Sequence, residues 1–193
     1  MRSVCVFLGS NPGNTPAYAE TARELGRTLA GRGMTLVYGG ARNGLMGILA
    51  SAAVAAGGKV VGVLPGFLKA KELAFEGLSE MHLVDSMHER KARMAELSDG
   101  FMAMPGGLGT LEEFFEVATW GQLGLHPKPC GLLNVEGYYD KLAAFLDHMV
   151  DEGFVKPIHR SNLLCEDTVE ALLQAMEAYT PIARGKWYGL DKS

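Results

Sequence analysis

A glycine-rich turn followed at once by two glutamates is the stretch of this sequence best suited to chemistry. It reads Met-Pro-Gly-Gly-Leu-Gly-Thr-Leu-Glu-Glu over residues 104–113, after a short apolar run and before a long amphipathic one. This order predicts a strand, a turn and a helix from about Thr110, whose first N–H groups and positive dipole end would attract an anion such as phosphate. A turn that only bound phosphate would gain nothing from Glu112 and Glu113 so close to it. The two carboxylates therefore indicate that part of this site does chemistry.

A second group of ionisable residues, His88-Glu89-Arg90-Lys91, lies at the start of a helix predicted over residues 87–97. Cations near the start of a helix oppose its dipole, so a nearby anion would explain them, while a solvated helix face is the alternative. Arg90 offers a planar, permanently charged group that suits a phosphate or a ring nitrogen. Because neighbouring helical residues point roughly 100° apart, only one of Glu112 and Glu113 can face a ligand.

Two more glycine-rich turns follow predicted strands. The first spans residues 9–14 and contains Ser10, and the second spans residues 39–47 and contains Gly39, Gly40 and Gly44. The second turn does not match the GxGxxG pattern, and no acidic residue ends the following strand, so NAD binding is disfavoured. We interpret this turn as a second contact for an anion, with tight packing between helix and strand as the alternative explanation.

These turns require a framework that brings them together. Apolar runs alternate with helical patterns along the chain, and the strands are predicted at residues 3–8, 34–38, 59–64, 81–84, 100–104 and 129–135. The alternation predicts one domain over residues 1–193, a doubly wound, Rossmann-like parallel β-sheet with helices on both faces. We expect strand 81–84 near the sheet centre and a loop, short helix or lid over residues 65–79. Ligands of such folds lie outside the carboxyl ends of the strands, so the three turns should converge there.

The composition excludes several classes of partner. A net charge of −4 argues against binding nucleic acid through its backbone. The three cysteines are far apart without a CxxC motif, and the five histidines lack metal-ligand spacing. The first residues carry too short an apolar run for a signal peptide, and no later run is long enough to span a membrane. We therefore expect a cytoplasmic protein without a metal, a cofactor, a nucleic-acid partner or a membrane association.

The motif Pro105-Gly106-Gly107-x-Gly109-Thr110-x-x-Glu113, with Arg90-Lys91 upstream, resembles the LONELY GUY (LOG) family of nucleotide phosphoribohydrolases. The similarity covers about residues 4–177 and includes Gly39-Gly40, Gly44-Leu45-Met46-Gly47, residues 120–124 and Lys128-Pro129. It implies hydrolysis of the N-glycosidic bond of a purine nucleoside 5′-monophosphate to the free base and ribose 5-phosphate. The base would be adenine or an N6-substituted adenine, the latter being a cytokinin.

The resemblance also implies roles for individual residues and a homodimer. Arg90 and Glu113 would be catalytic, and the substrate would be bound by Glu72, Lys91, Gly107, Gly109, Thr110 and Thr119. We expect the 5′-phosphate over residues 107–110, with help from Ser10 and from the turn that holds Gly39, Gly40 and Gly44. The competing hypothesis is a non-catalytic nucleotide carrier or molybdenum-cofactor carrier of the same fold.

Overall fold

A computed structural model describes residues 1–69 and 74–181, which contain one seven-stranded parallel sheet. The strands are β1 Ser3–Phe7, β2 Thr35–Tyr38, β3 Val60–Pro65, β4 Glu80–Val84, β5 Gly100–Ala103, β6 Cys130–Leu133 and β7 Leu163–Glu166. The helices are α1 Pro16–Gly31, α2 Gly44–Ala55, α3 Gly66–Lys69, α4 Met87–Glu96, α5 Leu108–Gln122, α6 Asp140–Asp151, α7 Pro157–Arg160 and α8 Val169–Ala178. A 3-10 turn, Val135–Gly137, follows β6.

The strand order is β4-β3-β2-β1-β5-β6-β7, and every pair is parallel. This order confirms the doubly wound fold, and it reverses direction between β1 and β5, where ligands bind in such sheets. The expectation that strand 81–84 lies near the centre is wrong, because β4 is one of the two edge strands and pairs only with β3 among the described strands. An edge strand can expose apolar side chains, as β4 does with Leu83, so an apolar run alone does not indicate a central position.

Helices cover both faces of the sheet, so the central strand is buried on both sides. Val4 and Val6 of β1 belong to one buried cluster, with side chains of α1, α2 and α8. Cys5 and Phe7 belong to the other cluster, which includes Met94 of α4 and Phe114 of α5. Because α4 and α5 pack on the same face and each follows a strand, both helices start at the carboxyl edge of the sheet. Among the described residues, no helix combines the length and apolar character needed to cross a membrane.

The crossing of α1 and α2 depends on a glycine. A Cβ atom at Gly26 would lie 2.6 Å from the carbonyl oxygen of Leu49 and 2.9 Å from the backbone nitrogen of Ala53. Both distances are too short for a carbon atom to fit without moving backbone. Gly26 therefore sets how closely the two helices approach.

We predict that Gly26→Ala lowers the free energy of unfolding by about 1–3 kcal/mol, because the added methyl group overpacks the helix crossing. Gly31→Ala is the matched control, since Gly31 ends the same helix and a Cβ there meets nothing within 4 Å. The control should be neutral or slightly stabilising. Urea denaturation measures both variants, and equal stability of the two would contradict this packing account.

Candidate active site

Three loops meet at the carboxyl edge of the sheet, as the sequence predicted. The backbone N–H of Gly9, after β1, donates to the carbonyl of Pro105, after β5, at 3.1 Å. The N–H of Leu45, at the start of α2, donates to the carbonyl of Gly9 at 3.2 Å. These two bonds connect the turns after β1, β2 and β5 into one structure beside the point where the strand order reverses.

The start of α5 presents an open surface next to these loops. The helix begins at Leu108, two residues before the predicted start, and Gly107 is its N-cap without a side-chain hydrogen bond. The first N–H groups of a helix have no acceptor within it, so this turn can bind an anion. A Cβ atom at Gly107 or Gly109 would meet nothing within 4 Å, whereas Thr110 is buried. The two glycines therefore leave the turn accessible.

Arg90 and Glu113 form a buried ion pair between α4 and α5. Arg90 Nη1 donates to Glu113 Oε1, and Arg90 Nε donates to the carbonyl of Val63 at 3.1 Å. Arg90 is 8% exposed and the Glu113 side chain is 12% exposed. With both contacts made, the guanidinium is fixed in orientation.

A capping motif sets where Arg90 stands on its helix. The Ser86 hydroxyl accepts a hydrogen bond from the N–H of Glu89 at 3.1 Å, and the Glu89 carboxylate accepts one from the N–H of Asp85 at 2.9 Å. Such reciprocal bonds fix a helix start. Arg90 therefore lies one turn into α4, at the same sheet edge as Glu113.

Gly39, after β2, makes space for the Arg90 guanidinium, because a Cβ atom there would overlap Arg90 Nη2. A Cβ atom at Gly44 would overlap the Ser10 carbonyl, and Gly40 has a positive φ of 75° that favours glycine. Tight packing, the alternative interpretation, thus accounts for the glycines of this turn. Direct contact of Gly39, Gly40 or Gly44 with an anion stays a prediction.

Burial raises the pKa of Glu113 above its ordinary value, and the positive charge of Arg90 offsets this only in part. The nearby carboxylate of Glu112 raises the same pKa further. Glu112 itself is 55% exposed at its side chain, so the two neighbouring glutamates do lie in different surroundings. The site thus holds one carboxylate that is harder to ionise than usual.

Lys91 is buried beside this pair, and its ammonium contacts two carboxylates. Its Nζ forms an ion pair with Glu112 Oε1 and another with Glu116 Oε2 at 3.0 Å. Burial lowers the pKa of Lys91, but hydrogen bonds to Glu112 and Glu116 outweigh it and raise the pKa overall. The lysine is therefore charged, and its ammonium group already has two carboxylate partners. Its contact with substrate stays a prediction.

The remaining predicted residues lie in different places. Ser10 is exposed and lines a cavity of about 180 Å³ together with Gly107 and Tyr138. Thr119 is six residues beyond Glu113 on α5, about 9 Å along the helix axis, and lines a separate cavity of about 160 Å³. The chain does not bring Thr119 to the loops around Gly107. Glu72 lies outside the described residues.

The sequence did not identify Tyr138 as part of this site. Its hydroxyl donates to the Gly106 carbonyl at 2.6 Å, whereas the neighbouring Tyr139 is buried and donates to the Met104 carbonyl at 2.7 Å. From the pattern alone both tyrosines could be interface anchors or core residues. The one available signal was their position after a strand, at the carboxyl edge.

Comparisons with known proteins agree with the motif. A family model described as "Possible lysine decarboxylase" matches residues 46–176. A probable cytokinin riboside 5′-monophosphate phosphoribohydrolase of Oryza sativa subsp. japonica is 52% identical over 180 residues, 93% of this chain and 73% of that protein. A cytokinin riboside 5′-monophosphate phosphoribohydrolase of Rhodococcoides fascians is 50% identical over 178 residues, 92% of this chain and 90% of that protein.

Solved structures share the fold. A molybdenum cofactor binding protein from Rippkaea orientalis matches with a TM-score of 0.70 at 22% identity, over 92% of this chain and 96% of that chain. The molybdenum cofactor carrier protein of Chlamydomonas reinhardtii matches with a TM-score of 0.69 at 23% identity, over 92% and 99%. At these identities the similarity concerns the fold alone.

We predict that Glu112→Gln lowers the pKa of Glu113, because it removes a negative charge that favours the protonated form. Carboxyl ¹³C NMR titration measures this pKa directly. Glu96→Gln is the control, since it removes the same charge from an exposed pair with Arg93 at the far end of α4. A Glu113 pKa that rises or does not move in Glu112→Gln would contradict the electrostatic account.

Proposed function

The chain belongs to the LONELY GUY family, and we propose that it hydrolyses the N-glycosidic bond of a purine nucleoside 5′-monophosphate. The products are the free base and ribose 5-phosphate, and the base is adenine or an N6-substituted adenine. The observation that carries this proposal is the buried Arg90–Glu113 pair beside the open first turn of α5. A carrier that only held a nucleotide would have no use for that pair.

The 5′-phosphate binds at the first turn of α5, over residues 107–110, where Ser10 lines the same cavity as Gly107. This assignment follows from the free N–H groups and the positive dipole end of a helix start. Glu113 is one helical turn beyond Thr110 on the same helix. A substrate held by its phosphate at this turn therefore extends its sugar toward the Glu113 carboxylate.

Glu113 stabilises the reacting sugar. When the base departs, positive charge develops on the ribose, as in other glycoside cleavage. An ionised carboxylate next to the ring lowers the energy of that state and can orient or deprotonate the attacking water. Since burial raises the pKa of Glu113, this carboxylate takes up a proton at a higher pH than an ordinary glutamate does. The rate of hydrolysis should therefore begin to fall at a higher pH when the solution is acidified.

Arg90 holds Glu113 and contacts the leaving base. Its Nε and Nη1 atoms are engaged by the Val63 carbonyl and Glu113, so Nη2, beside Gly39, is the nitrogen that donates a hydrogen bond to the purine. Arginine stays charged and does not supply a proton. The proton for the base comes from another group, and the candidates are Glu72 and water.

A lysine decarboxylase, the activity in the name of the family model, fits these residues poorly. A lysine that forms a Schiff base needs a lowered pKa. Lys91 has the opposite environment, because Glu112 and Glu116 keep it charged.

The same proposal includes a cytoplasmic location and a homodimer. Exposed apolar side chains on and after α6, Phe145 and Phe154, are consistent with a protein partner on that side.

We predict that Glu113→Gln still folds, with a lower thermal midpoint because Arg90 loses its carboxylate, and that it lowers turnover of AMP by about 10²–10⁴-fold, because the amide can neither carry the negative charge nor accept a proton. Release of adenine and ribose 5-phosphate measures turnover, and the thermal midpoint of unfolding checks the fold. Glu112→Gln removes the same charge one residue away and should lose far less activity. Near wild-type turnover in Glu113→Gln would refute the assignment.

A further inference from the structure

The carbonyl groups of the three residues 104–106, just before the N-cap of α5, are each engaged by another part of the protein. Two of the three donors are consecutive tyrosines that follow the 3-10 turn after β6. The bonds are Tyr139 hydroxyl to Met104 carbonyl at 2.7 Å, Gly9 N–H to Pro105 carbonyl at 3.1 Å, and Tyr138 hydroxyl to Gly106 carbonyl at 2.6 Å.

Peptide planarity gives the bond from Tyr138 a particular consequence. The carbonyl of one residue and the N–H of the next point in opposite directions across a planar trans peptide. Fixing the carbonyl of Gly106 therefore fixes the N–H of Gly107, the N-cap of α5. Both residues are glycines, so side chains do not hinder rotation of this peptide. The tyrosine hydroxyl supplies the restraint that the glycines lack.

The bond from Tyr139 has no such consequence. The Met104 carbonyl belongs to the peptide that precedes Pro105, and proline has no N–H. Holding that carbonyl therefore orients no donor. Tyr139 is also buried, whereas Tyr138 is 43% exposed and lines the cavity with Ser10 and Gly107. The two tyrosines make the same kind of bond to the same turn with different results.

A strained turn brings Tyr138 to this position. Glu136 has φ 53° and Gly137 has φ 67°, and Glu136 is the one non-glycine residue with positive φ in the described part of the chain. Such a conformation costs energy and persists where surrounding contacts require it. The Tyr138 ring packs edge to face against Tyr18, with centroids 5.8 Å apart, so its hydroxyl is aimed by contacts on the ring as well.

We propose that Tyr138 is a positioning residue for phosphate binding. Its hydroxyl holds the Gly106–Gly107 peptide in the orientation that keeps the Gly107 N–H available to the 5′-phosphate. The hydroxyl acts through this peptide and does not contact the reacting bond. The inference rests on the proposed function, because that function places the phosphate of the substrate at the first turn of α5.

The test is Tyr138→Phe, which removes the hydroxyl and keeps the ring against Tyr18. We expect its affinity for ribose 5-phosphate, measured by calorimetry, to fall about threefold to tenfold, the loss expected for one hydrogen bond. The KM for AMP should rise by a similar factor with little change in kcat. Cleavage of adenosine, which has no phosphate, should keep the kcat/KM of the wild type.

Tyr139→Phe is the matched control. It should lower the thermal midpoint, because the buried Met104 carbonyl loses its partner, and leave the affinity for ribose 5-phosphate unchanged. A loss of affinity in Tyr139→Phe equal to that in Tyr138→Phe would overturn the proposal. So would an unchanged affinity in Tyr138→Phe, or an equal loss for AMP and adenosine.

Calorimetry separates this inference from the proposed function, because it needs no turnover. If the wild type binds ribose 5-phosphate but does not cleave AMP, the proposed function fails and the effect of Tyr138→Phe on binding still decides the role of Tyr138. If the wild type cleaves AMP and Tyr138→Phe changes nothing, the positioning role fails alone. If the wild type binds neither ribose 5-phosphate nor AMP, both proposals fail.

Discussion

The buried ion pair between Arg90 and Glu113 is the interaction on which the rest of the site depends. Two opposite charges removed from water must be well matched, because an unpaired buried charge is strongly destabilising. The fold meets this requirement by starting α4 and α5 at the same sheet edge and on the same face. The Val63 carbonyl accepts from Nε of the guanidinium, and Gly39 leaves space beside Nη2.

The site combines a closed part with an open part. In the closed part, the cations of α4 are already paired, Arg90 with Glu113 and Lys91 with Glu112 and Glu116. In the open part, Gly107 and Gly109 expose the first turn of α5. Under the proposed function, the phosphate therefore binds to backbone N–H groups of α5, because Arg90 and Lys91 already have carboxylate partners. If the proposal is right, this division makes phosphate binding depend on the orientation of single peptides, such as the one after Gly106.

The sequence predicted the doubly wound fold and the convergence of the three turns. Those features follow from local patterns, since parallel strands place their following turns at one edge. The sequence did not predict the edge position of β4, because an apolar run does not indicate how many strands pair with the strand it forms. The sequence predicted the start of α5 two residues too far along the chain, because the N-cap is a glycine, which has no side chain to mark the start of a helix. Tyr138 was missed because it contacts Gly106 across 32 residues.

The hydrolytic role of the Arg90–Glu113 pair is tested most directly by incubating the wild-type protein with AMP and identifying every product by ³¹P NMR and chromatography. We predict that adenine and ribose 5-phosphate appear in equal amounts as AMP disappears. Tight binding of AMP without cleavage would contradict a hydrolytic role for the Arg90–Glu113 pair and favour a carrier. Release of inorganic phosphate and adenosine would contradict the reaction itself, since the wrong bond would have been broken.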